Sequence, residues 1–158
     1  MKNTEPLSPE KLYQYALWLM TGRDYTSLKI RQKLITRNPD RDTVDDVVSR
    51  LQHEGWLNDS RFAASFAEAA ISSGRYYGVR LRLEMRRKGF AADLVNETLA
   101  PLMAESDETS EVRSAIERRY PGFSYSEASD RDRRRVIGFL QRRGFHFSAI
   151  MQVLKFEE

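Results

Sequence analysis

The groups in this chain best suited to chemistry are its guanidiniums. Arginine outnumbers lysine by 20 to 6. A guanidinium fork grips phosphate or carboxylate through paired hydrogen bonds in a way that an ammonium cannot. The bases are also clustered. Arg23–Arg37 carries five bases and one acid, Arg75–Gly89 six and one, and Asp130–Arg143 six and two. The formal net charge is only +3, so the rest of the chain is net acidic. Such segregation predicts a basic surface for an anionic partner, either nucleic-acid phosphate or acidic protein.

Catalytic chemistry is not expected. The only histidines are His53 and His146, and there is no cysteine, so neither a zinc site nor a thiolate nucleophile is in prospect. His53 stands opposite an apolar stripe and reads as a surface residue. His146, between Phe145 and Phe147 at a helix start, reads as structural. Asp45-Asp46 and Glu157-Glu158 are adjacent pairs, which point to different faces of a helix. Neither a phosphate-binding G-x-x-x-x-G-K-S/T loop nor G-x-G-x-x-G occurs. The chain is expected to be no enzyme and to need no cofactor.

The elements that must carry the bases repeat. Leu34, Met85 and Leu140 align, at a spacing of about 50 residues, the hallmark of a helical repeat. One turn before them stand Ile30, Leu81 and Val136. Three residues after them come Arg37, Lys88 and Arg143, then Asn38, Gly89 and Gly144. Glycine and asparagine tolerate the left-handed conformation that closes a helix, and a cation in the last turn suits the helix dipole. Further on, Val44, Val95 and Ile150 align, as do Val48, Leu99 and Leu154, the stripe of a following helix. Every basic cluster thus falls on the middle helix of a three-helix unit.

The expected fold is all-α: three tandem three-helix repeats in an elongated, curved array, over residues 8–57, 58–104 and 105–158. Met1–Leu7 reads as a loose leader. Ser8-Pro9 opens the first helix, whose stripe is Leu12, Tyr13, Ala16, Leu17 and Met20. Thr26 caps the first basic helix, and Asp42 or Thr43 starts the third, with Val44, Val47, Val48 and Leu51 inward. Asn58-Asp59-Ser60 opens the second unit, in which Phe62, Ala63, Phe66, Ala67 and Ala70 are buried. Its basic helix has apolar residues on two sides, Leu81 with Met85 and Val79 with Leu83, as a helix wedged between two neighbours would. Its last helix is expected to stop near Pro101, followed by a linker over Ala104–Thr109. Val112, Ala115, Ile116, Tyr120, Val136, Ile137 and Leu140 build the third unit, completed by Phe147, Ile150, Met151 and Leu154. There is no apolar run of membrane-spanning length and no signal-peptide core at the start, so a cytoplasmic location is expected. Nothing resembles a coiled coil, and a monomer is expected.

Particular segments carry a family resemblance. Leu57-Asn58-Asp59-Ser60-Arg61-Phe62-Ala63, with Arg80-Leu81 and Glu84-Met85-Arg86-Arg87-Lys88-Gly89-Phe90, resembles the core signature of the RecX family, bacterial regulators of the RecA recombinase. Arg23-Asp24-Tyr25-Thr26 with Ile30-Arg31-Gln32-Lys33-Leu34 is similar to the first-repeat motif, and Phe139-Leu140-Gln141-Arg142-Arg143-Gly144-Phe145 to the third. Lys29, Tyr77 and Gly138 depart from the usual pattern. The resemblance implies binding along the groove of the RecA–single-stranded-DNA filament. It also implies a block on strand exchange, ATP hydrolysis and co-protease action that moderates the SOS response. The contacts expected to carry this are Arg31, Lys33, Arg82, Arg86, Arg87, Lys88, Arg134, Arg135, Arg142 and Arg143. A second reading is a DNA-binding helical module that acts through phosphates alone and binds naked DNA weakly.

Overall fold

The computed structural model describes residues 5–156. Among them lie nine helices and no strand: α1 (Pro9–Gly22), α2 (Ser27–Ile35), α3 (Arg41–His53), α4 (Asp59–Ser72), α5 (Gly78–Lys88), α6 (Ala92–Glu105), α7 (Glu108–Arg119), α8 (Asp130–Arg143) and α9 (Phe147–Phe156). Polar side chains cap several of them, at Ser8, Thr26 and Asn58 where the sequence predicts. Ser8, Thr26, Asn58 and Ser129 each accept a hydrogen bond from the backbone N–H three residues on. Each cap satisfies an N–H that the helix itself leaves unpaired.

The helices form three cores. One gathers Leu12, Ile30, Leu34, Val44, Val48 and Leu51; the next Ala63, Ala67, Leu81, Met85, Phe90, Val95 and Leu99; the last Val112, Val136, Leu140, Phe145, Ile150 and Leu154. The aligned positions all point inward. None of the twelve residues in the four apolar columns is more than 4% exposed. Helix pairing of any extent stays within a unit, except where α5 meets α8. This is an all-α helical repeat whose units bury their own stripes.

Several expectations need correcting. Pro101 lies inside α6, which runs on to Glu105. The proline is exposed, so the unpaired carbonyl one turn back can meet water. Beyond it, Met103 packs against the second and third cores. The linker shrinks accordingly to Ser106 and Asp107, and Asp107 caps α7. Asp40, not Asp42 or Thr43, caps α3. Asn38 is not left-handed, because among the described residues no non-glycine residue has positive φ. Its side-chain amide instead donates to the Leu7 carbonyl at 3.0 Å, and Leu7 N–H donates to Arg37. Leu7 is therefore tied down, while the rest of the expected leader up to Thr4, like Glu157-Glu158, lies outside the described residues. Val79 and Leu83 are exposed, at 67% and 43%, so only one side of α5 is covered. Phe147 is exposed as well, and Ala149 and Val153 take its place in the last core.

Candidate functional site

The junction between the first two units builds a strongly basic cleft. Thr26, which caps α2, is fully buried, and its hydroxyl donates to the Lys88 carbonyl at 3.0 Å. Asp59, at the start of α4, accepts from the Ser27 backbone at 2.9 Å and from its hydroxyl at 3.1 Å. The Thr26 bond holds the N-terminus of α2 against the C-terminus of α5, and the Asp59 bonds tie the same N-terminus to the start of α4. The positive end of one helix dipole thus meets the negative end of another.

The cleft this leaves has a volume of about 470 Å³. Arg23, Lys29, Lys33, Arg87 and Lys88 line it, with Asp24 the one acid, alongside Tyr25 and Phe62. Its bases have little else to do. Arg23 lies over the Tyr25 ring at 4.7 Å and Lys88 over Phe66 at 5.7 Å. Only Arg87 has a carboxylate partner among the described residues, Glu84 at 3.0 Å. Outside the cleft, Arg31 pairs with Asp45, Arg50 with Glu10 and Glu54, and Arg80 with Glu84. Convergent, unpaired cations around a concavity hold an anion more strongly than the same charges scattered over a surface.

Comparison with known proteins agrees along the length of the chain. Residues 58–99 match the family model of the second three-helix domain of RecX, and residues 106–154 that of the third. The regulatory protein RecX of Trichlorobacter lovleyi is 40% identical over 147 residues, covering 93% of this chain and 96% of the relative. The chain belongs to the RecX family. A second relative, the regulatory protein RecX of Halorhodospira halophila, is 35% identical over 136 residues, covering 86% of this chain and 81% of its own length. The crystal structure of RecX from Lactobacillus salivarius has the same fold, with a TM-score of 0.70 at 17% identity, covering 94% of this chain and 95% of that one. The relatives are named as regulatory proteins rather than enzymes.

The ten expected contact residues of this RecX chain fall into groups. Lys33, Arg87 and Lys88 come together at the cleft, although two units supply them. Arg31 faces away, paired with Asp45. Arg82 and Arg134 are exposed, and neither has an ion pair among the described residues. Arg135 borders a separate hollow of about 390 Å³ with Asp132, Glu127 and the loop after α7. Arg142 is exposed and lies along its own helix over Gly138. Arg86 and Arg143 have internal partners. Arg86 donates to the Phe90 carbonyl at 2.8 Å, and Arg143 reaches the Gly74 and Arg75 carbonyls at 3.4 and 3.1 Å.

The aligned cations Arg37, Lys88 and Arg143 share one further feature. Each sits over an aromatic ring, Tyr15, Phe66 and Phe139, at 4.8, 5.7 and 4.8 Å. A cation–π contact at a helix end is a structural use of the charge, and only Lys88 combines it with a place on the cleft.

Sequence reasoning passed over Arg23 and Lys29 as site residues. Their signal was the first basic window itself, which begins at Arg23. Among the described residues no group of three His, Cys, Asp or Glu could hold a metal ion. His53 is exposed. The His146 backbone N–H and Nδ1 lie 2.7 and 2.9 Å from Glu108, fixing the start of α9 to α7. The perturbed carboxylates are structural too. Asp107 is held low by the Thr109 hydroxyl and by the N–H groups it caps. Glu54 is held low by the Tyr13 hydroxyl and by Arg50. No helix among the described residues is long and apolar enough to cross a membrane.

Proposed function

We propose that this chain is a non-enzymatic regulator that binds the RecA–single-stranded-DNA filament. It inhibits the filament's recombinase, ATPase and co-protease activities, and so moderates recombination and the SOS response. Family membership over nearly the whole chain carries this reading. The basic cleft supports a particular face for the contact, with Lys33, Arg87 and Lys88 at its centre. Arg31, Arg82, Arg134, Arg135 and Arg142 are outward bases that lie outside the cleft.

The working divisions are residues 8–57, 58–104 and 105–158, one three-helix unit each. Units strung in tandem can touch several subunits of a helical filament at once, and linked weak contacts multiply into strong binding. The chain acts as a monomer in the cytoplasm. Co-sedimentation with preformed RecA filaments tests the proposal, set against DNA alone across a salt series. The chain should pellet with filaments at salt concentrations that release it from naked DNA. Equal salt sensitivity in both arms would favour a module that works through phosphates alone.

A further inference from the structure

Val79 and Leu83 stand one turn apart on the outward side of α5, 67% and 43% exposed. The repeat carries the feature into α2. Leu28 stands six residues before Leu34, as Val79 stands six before Met85, and it is 48% exposed. Exposed aliphatics scattered singly are ordinary; a position that is aliphatic and outward in two successive units is not scattered. Arginines flank the row. By helical spacing Arg82 and Arg86 lie along one side of Val79 and Leu83, and Arg80 and Arg87 along the other. Glu84 pairs with Arg80 at 2.9 Å and with Arg87 at 3.0 Å, while Arg82 has no ion pair among the described residues. Arg31 stands to Leu28 as Arg82 does to Val79. None of the three aliphatic residues lines the basic cleft.

We infer that this outward row is a protein-docking crest, and that it seats on recombinase protomers at apolar hollows rimmed by carboxylates. The inference rests on the filament reading and names the component of the filament that these two helices meet. Phosphates need hydrogen-bond donors, and unpaired bases need flat rings to stack on. Aliphatic branches at the centre of the face offer neither. A protein interface has the matching anatomy, an apolar centre in which arginine is enriched and a polar rim around it. The flanking guanidiniums set the sign of the partner's rim. Three side chains are far less than a stable interface requires, so the crest works by repetition. Leu28 on one unit and Val79 with Leu83 on the next meet successive protomers, and each contact raises the effective concentration of the other. An isolated protomer, offering one contact at a time, is held weakly.

Val79→Gln with Leu83→Gln removes the apolar row and keeps every charge. Glutamine suits a helix, and Gln32 already holds the Leu83 position in α2. Native and variant chains would be compared in three measurements: inhibition of RecA's DNA-dependent ATPase, anisotropy of a labelled oligo(dT), and urea unfolding. We expect half-inhibition to need about ten-fold more of the double variant, with the oligo(dT) titration and the urea midpoint unchanged. Leu28→Gln should add to the loss, and Leu83→Met, which keeps the apolar surface, should inhibit as the native chain does. Native inhibition by the double variant would overturn the inference. A parallel loss of oligo(dT) binding would overturn it too, by placing the row on DNA, and so would a fall in the urea midpoint that accounts for the lost inhibition. In all three cases the native chain still inhibits, and the filament reading stands. A native chain that does not inhibit would overturn both.

Discussion

Thr26 and Gly89 meet across the boundary between the first two units. The threonine hydroxyl lies 2.6 Å from where a Cβ on Gly89 would stand. Tyr77 and Gly144 repeat the relationship one unit later. Tyr77 N–H donates to the Arg143 carbonyl at 2.7 Å, and the Tyr77 carbonyl lies 2.0 Å from a would-be Gly144 Cβ. Thr26 and Tyr77 are the residues that precede the first turn of α2 and α5. The middle helices are thus joined end to end, the start of one against the left-handed stop of the next. After α2 the segment before α1 takes the equivalent place, with Leu7 N–H donating to the Arg37 carbonyl, and Asn38 there has no positive φ.

Gly144→Ala tests this junction directly. The residue sits at φ 104° and its new methyl would meet backbone, which cannot swing aside as a side chain can. The cost should be about 2–4 kcal/mol in urea unfolding, combining left-handed strain with the clash. Gly22→Ala is the matched control, with open space around it and no positive φ. It should stabilise by about 0.5 kcal/mol through the unfolded chain. Equal stability of the two variants would refute the end-to-end joint.

Tyr77 extends the argument to the cores. It belongs to α5's unit by sequence, yet its ring stacks on Phe145 at 4.9 Å and its hydroxyl lies 2.8 Å from that of Ser106. Tyr77→Ala should therefore loosen the third unit more than its own. Hydrogen exchange would show lost protection in α7–α9 first. Loss confined to α4–α6 would contradict this assignment.

What the sequence made legible follows from what periodicity reports. A stripe shows which side of a helix is apolar, and the four repeated columns identified twelve buried residues correctly. It does not show whether a partner comes to cover a second stripe. Val79 and Leu83 have the spacing of a core face but no helix over them. Pro101 looked like a stop because local rules treat the ring alone, while packing by Met103 on two cores outweighs the one lost hydrogen bond. The cleft was half legible. The basic windows were plain, but Lys33 and Lys88 come together only through the contact of Thr26 with the end of α5, and nothing local encodes that.

Arg143 and Arg82 separate structural from outward arginines. Arg143→Lys keeps the charge but loses the guanidinium Nη1 that donates to both the Gly74 and Arg75 carbonyls. It should cost about 1–2 kcal/mol of stability. Arg82→Ala, exposed and without an ion pair, should change stability by less than about 0.5 kcal/mol. Urea midpoints decide it, and the reverse order would put Arg143 among the outward bases.

Acid should weaken the fold through the capping carboxylates. Asp40 is held below the usual carboxylate range by the Thr43 hydroxyl, Asp107 by that of Thr109 and Glu54 by that of Tyr13. A group whose folded pKa is depressed adds stability above its unfolded pKa and loses it as pH falls through the folded one. Stability should be flat near neutrality and decline below the ordinary carboxylate range. Asp107→Asn should flatten part of that decline in urea titrations at successive pH values. An unchanged pH profile would show that Asp107 is not one of the linked groups.

The cleft makes a graded prediction for inhibition of RecA. Charges that converge on one concavity reinforce each other's field, whereas dispersed ones are screened separately. Lys33→Glu, Arg87→Glu and Lys88→Glu together turn three of five cationic walls acidic, and should raise the concentration needed to inhibit DNA-dependent ATP hydrolysis by at least about ten-fold. Arg134→Glu with Arg135→Glu reverses two bases on the third unit, where Asp132 and Glu127 already dilute the field, and should cost less. Both sets lie on the surface, so near-native circular dichroism is expected in each. If the α8 pair proved as damaging as the cleft set, the filament contact would have to be sought along the third unit instead of at the first junction.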